Sequence, residues 1–86
     1  MARKLTSKEA IWLNEDGSIL LFRQGGFGGP HHMEIQRSGR VWIWRELSTE
    51  EANKLLALHL QEAGWQYIHP WRRARAFGEN LPQWSE

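Results

Sequence analysis

The chain contains no cysteine. Disulfides, thiolate metal centres and a cysteine nucleophile are therefore excluded, and the absence fits a reducing compartment. Proline occurs three times and tyrosine once. No apolar run approaches the ~20 residues that a membrane-spanning helix requires, so no membrane partner is expected. A marked excess of either charge is missing too. Eleven Lys and Arg against ten Asp and Glu leave a formal charge of +1, and that balance singles out neither nucleic acid nor an acidic substrate. The basic start, residues 1–8, is followed by no apolar segment and small-residue cleavage site of the secretory kind, and a cytoplasmic protein is the expectation.

What the chain does have is tryptophan. Six of its 86 residues are Trp, each able to bury a large apolar area while asking for a partner for its indole N–H. A chain of this length makes one domain, 1–86, near the lower limit for folding without a staple. Its polar ends, 1–8 and 78–86, are expected to be flexible.

The clearest local signal runs from Ser48 to Gly64. Ser48 is a good N-cap, and Glu51 three residues later completes a capping box. Glu50 and Glu51 place negative charge at the positive end of the helix dipole. Ala52, Leu55, Leu56, His59, Leu60 and Ala63 share one face at helical spacing, and Gly64 supplies a left-handed stop. A helix of this kind needs a surface to cover, and the alternating segments before it supply one.

Ala10–Leu13 and Ser18–Arg23 flank Asp16-Gly17, a hairpin signal. With Asp16 and Gly17 as a two-residue loop, Leu13 faces Leu20 and Ile11 faces Phe22. The apolar run Ile19–Phe22 predicts a central strand covered on both faces. Gly25–Pro30 is a glycine-rich connection with Phe27 at its middle, and it is expected to be mobile. A second hairpin pairs His31–Gln36 with Val41–Arg45 around Ser38-Gly39, placing Ile35 opposite Trp42, Met33 opposite Trp44 and Arg45 opposite His32. Its Met33, Ile35, Trp42 and Trp44 face is expected to meet the helix, and both tryptophans are assigned to the core. Trp65–His69 forms a last strand, ended by Pro70. The fold class is α+β: a small antiparallel sheet of four to five strands, ordered β-β-β-β-α-β, with one amphipathic helix packed on one face.

No motif specifies a cofactor or metal. The histidines lack ligand spacing, and His31 and His32, adjacent on a strand, point to opposite faces. Gly25–Pro30 matches neither a phosphate-binding loop nor a dinucleotide fingerprint. Three arginines between Trp71 and Phe77 are the strongest functional candidate. Trp and Arg are favoured at protein-binding hot spots. Phe27, Trp71, Arg72, Arg73, Arg75 and Phe77 are therefore expected to contact a larger protein or complex, in a non-enzymatic module acting as a monomer or homodimer. Small inhibitors of host defence carried by phages or mobile elements are one such class. Replacing Arg72, Arg73 and Arg75 together with alanine is expected to abolish binding and leave the fold intact. The alternatives are a nucleic-acid-binding protein using the same arginine-aromatic segment, and a metal-independent ribonuclease using His31 or His32 with Glu34 and Arg45. Arg3, Lys4 and Lys8 would join a basic patch if the two ends of the chain lie together.

Overall fold

Period-two alternation of apolar residues builds strands, and the computed structural model, which describes residues 2–85, follows that pattern. In chain order the elements are β1 (Arg3–Lys4), β2 (Ala10–Asn14), β3 (Ile19–Arg23), β4 (His31–Arg37), β5 (Arg40–Leu47), α1 (Thr49–Leu60), β6 (Trp65–Tyr67), a 3-10 turn (Pro70–Arg72), α2 (Arg73–Phe77) and β7 (Gln83–Trp84). Five of the strands form an antiparallel sheet in the order β5-β4-β3-β2-β6, while β1 and β7 make a separate two-stranded ribbon. Strand β3 is central, and its Leu20 and Leu21 are both fully buried, one on each face.

The second hairpin has the expected register, with Ile35 opposite Trp42 and Met33 opposite Trp44. Ser38 and Gly39 both take positive φ, as a two-residue loop of this hand requires. Past Met33 the pairing changes. His31 pairs with Leu47 across a bulge, so Arg45 and Glu46 together stand against His32, and Glu46 sits at φ 58.

The first hairpin is shifted by one residue from the expected pairing. Leu13 faces Ile19 and Ile11 faces Leu21, leaving a three-residue loop of Glu15, Asp16 and Gly17. Side chains decide it. The Asn14 amide oxygen accepts from Asp16 N–H at 3.2 Å, and the Asp16 carboxylate accepts from Ser18 N–H at 2.8 Å. The Asn14 amide also donates to the Ala63 carbonyl at 3.1 Å, so a contact 49 residues away helps set the turn.

Helix α1 begins with both halves of the Ser48–Glu51 capping box, at 3.0 and 3.1 Å. It ends at Leu60 with Gln61 as its cap, earlier than the Gly64 stop the sequence predicts. Residues 61–64 form a turn instead. Gly64, at φ +97, lies so close that a Cβ there would meet the Asn14 side chain at 2.9 Å. Ala63 is consequently exposed and outside the helix face.

The helix covers a core of Leu20, Met33, Ile35, Leu47 and Ala52, flanked by Trp12, Phe22, Trp44, Leu55, Leu56, Leu60 and Trp65. Trp44 belongs to this face, but Trp42 is 42% exposed, against expectation. A single helix, roughly 10 Å wide, does not reach across five strands spaced about 4.8 Å apart.

The opposite face carries a second layer. Ile11, Leu21, Ile68 and Trp84 form its core, with Leu5, Leu13, Ile19 and Phe77 packed against them. The ends expected to be flexible build it: Arg3 pairs with Trp84 and Lys4 with Gln83. Trp84 is 2% exposed, and its indole N–H donates to the Glu9 carboxylate. Glu34 is fully buried beneath this layer. Its carboxylate accepts from the Gln36 side chain at 2.6 Å and from Ser85 N–H at 3.1 Å.

Candidate functional site

Strands β3 and β6 both run antiparallel to β2, so they point the same way. The glycine-rich loop after β3 and the Pro70–Phe77 segment after β6 therefore leave the same end of the sheet. With β2 between those strands, they emerge about 10 Å apart. Two surfaces lie at this end.

The first is an aromatic ladder along the β6 edge. Trp12 meets Tyr67 edge-on at 5.3 Å between ring centres, Tyr67 meets His69 at 4.9 Å, and His69 meets Trp71 at 5.7 Å. The Arg72 guanidinium lies over the Trp71 ring at 5.0 Å. Tyr67 and His69 are exposed, and Trp71 is 74% exposed. Edge-on rings and a stacked guanidinium each add attraction beyond their buried area, which holds these side chains in place while leaving their outer surfaces available. The sequence carried a readable signal for the ladder in the alternate placement of Trp65, Tyr67, His69 and Trp71.

The residues singled out in the sequence divide around this ladder. Trp71 and Arg72 belong to it, Arg75 is exposed on α2, and Phe27 is fully exposed on its loop. Phe77 is half-buried against the second core. Arg73 turns inward and is only 9% exposed. Its guanidinium donates to the Thr6 carbonyl at 2.7 Å and to the Glu9 carbonyl, stapling the C-terminal segment to the N-terminal one. The short helix α2 places Arg73 and Arg75 on different sides, so the three arginines do not form one surface.

The glycine loop is tied at both ends. Gly25 N–H donates to His31 Nδ1 at 2.9 Å, and Gly29 N–H to the Gly26 carbonyl at 2.9 Å. Because Nδ1 accepts, the imidazole proton sits on Nε2, which donates to Thr49 Oγ1 at 2.9 Å. Both ring nitrogens of buried His31 are thus engaged in locking the loop to the start of α1.

The second surface is a cleft of about 570 Å³ on the sheet face away from α1, lined by Arg3, Arg23, His32, Arg45, Glu46 and Trp84 together with neighbouring backbone. Arg3 reaches it because the two ends of the chain do lie together. His32 stands edge-on to Trp84 at 4.6 Å, and the Arg23 guanidinium lies over the same indole at 5.5 Å. Burial holds the His32 imidazole below the ordinary histidine value. Arg23, Arg45 and Arg3 push it further in that direction, and Glu34 opposes them. Glu34 itself accepts hydrogen bonds from Gln36 and Ser85. The cleft was not visible from the sequence, because its residues come from five strands.

Among the described residues, no group of three or more His, Cys, Asp or Glu side chains is placed to hold a metal ion, and no helix is long and apolar enough to cross a membrane. Comparison with protein-family models, with curated proteins and with solved structures finds no match. The fold defines a small α+β domain: a five-stranded antiparallel sheet between a capped helix and a layer made by both chain ends.

Proposed function

We propose that this chain is a non-enzymatic binding module that docks on a larger protein or complex in the cytoplasm and modulates or inhibits it. The carrying observation is the solvent-facing ladder Tyr67, His69, Trp71 with Arg72 stacked at its end. An exposed Trp beside an Arg is costly to leave in water and is the composition of an interface hot spot. The surrounding rings restrain these side chains before contact, so less conformational freedom is lost on binding. Phe27, at the same end of the sheet, extends the contact surface.

Nucleic acid is the less favoured partner for this surface. Unpaired bases could stack on the ladder. With Arg73 turned inward, however, two arginines of the segment remain for phosphates instead of three. The test compares affinity capture by the native protein with capture by a Trp71→Ala/Arg72→Ala variant, each with and without nuclease. A stoichiometric protein that resists nuclease and is lost with the variant supports the reading. Equal capture by the variant overturns it, and a bound species lost on nuclease treatment transfers the surface to nucleic acid.

A further inference from the structure

The cleft on the face away from α1 is built from a row of like charges. Arg23 and His32 are register partners on β3 and β4, and Arg45 stands against His32 on β5, at the bulge. Alternation puts all three side chains on the face of Leu21 and Glu34, with Arg3 approaching from the ribbon that crosses it. Like charges side by side on a sheet are destabilising. Arg23 and Arg45 form no ion pair among the described residues; the one carboxylate at the cleft wall is Glu46. His32 Nε2 is buried and has no hydrogen-bond partner among the described residues. A buried polar atom without a partner beside two unpaired guanidinium groups is the arrangement of an anion site awaiting its ligand.

We propose that this cleft binds a phosphate monoester of nucleotide size, with the phosphate held between the Arg23 and Arg45 guanidinium groups and His32 Nε2–H. The chemistry favours phosphate over carboxylate. Three donors approaching from three strands match a tetrahedral group with several oxygens, whereas a planar carboxylate offers two. A neutral imidazole serves as the third donor without a third positive charge. The volume, about 570 Å³, falls in the range of small-molecule sites and leaves room for an organic moiety along Pro30. A compact cleft at one end of a sheet, in a chain of net charge +1, is also unlike the long basic stripe that tracks a polynucleotide. The site is on the opposite face from Trp12 and Tyr67, and it does not depend on the docking reading.

The test is an NMR titration of the whole protein with AMP and, separately, inorganic phosphate, at constant ionic strength set with chloride. AMP is expected to give a saturable shift of the His32 ring signals and to raise the His32 titration midpoint, because the bound dianion favours the charged imidazole. Arg45→Ala is expected to weaken AMP at least tenfold, while Arg40→Ala, at the far hairpin turn, leaves it unchanged. Arg45 is exposed, and the wild-type midpoint decides the matter should that variant fail to fold. A response no different from chloride overturns the proposal, as does unchanged affinity in folded Arg45→Ala. Inorganic phosphate binding as tightly as AMP would replace the monoester with free phosphate. A short single-stranded RNA without terminal phosphate that outcompetes AMP would make the cleft a nucleic-acid site.

Discussion

Replacing Arg73 should cost the fold a large part of its stability, although the residue sits in what the sequence presents as a surface cluster. Its guanidinium makes two charge-assisted hydrogen bonds, to the carbonyls of Thr6 and Glu9, and is 9% exposed. Hydrogen bonds to charged groups contribute about 1.5–3 kcal/mol each, so Arg73→Ala, which also strands two carbonyls, is expected to cost about 3–5 kcal/mol. A domain of 86 residues has on the order of 4–13 kcal/mol of stability in all. Urea unfolding followed by tryptophan fluorescence reads the loss through buried Trp84. At a slope of up to about 3 kcal/mol per molar, the midpoint should fall by at least about 1 M. Arg72→Ala is the control. Arg72 is exposed and stacks on the exposed Trp71 ring, so the change should stay within about 0.5 kcal/mol. A midpoint for Arg73→Ala that matches the Arg72→Ala value would refute the stapling role. The same reasoning corrects the expectation that the triple arginine variant keeps its fold, since any binding it lost would be mixed with unfolding.

Two further perturbations test the loop and the cleft. Gly29 takes φ +109, and a Cβ there would lie 2.8 Å from the Leu47 carbonyl oxygen, so Gly29→Ala should cost about 2 kcal/mol and lower the melting temperature by roughly 8–15 °C. Gly28→Ala, with open space around it, should cost clearly less, and equal melting temperatures for the two would contradict the packing account. His32 titrates below its ordinary value of 6.5 in the folded protein. Above that value both states carry the neutral ring, and His32 adds no pH dependence. As pH falls from 6.5 toward the lower folded value, the unfolded state binds the proton first and stability declines. His32→Gln should flatten the stability–pH profile over that window, and an unchanged profile would place the acid sensitivity elsewhere.

Several features were written locally. The Ser48–Glu51 capping box, the Ser38-Gly39 turn and its register, and the central position of Ile19–Phe22 were all legible, because each depends on residues within a few positions of one another. Where a distant contact competes, the local rule failed. Asn14 bonded to Ala63 moved the first hairpin by one residue and helped end α1 before Gly64. The polar ends read as loose because their partners are each other: Trp84 reaches Glu9 across 75 positions, and Arg73 reaches Thr6 across 67. The cleft escaped notice for the same reason, being assembled from Arg3, Arg23, His32 and Arg45 on four strands. By itself the sequence determined the elements from β2 to β6 and the α+β class, since capping, turn chemistry and alternation act over one turn of helix or one step of strand. Only the tertiary structure decided which polar residues turn inward, since that depends on which donors and acceptors folding brings within hydrogen-bonding distance.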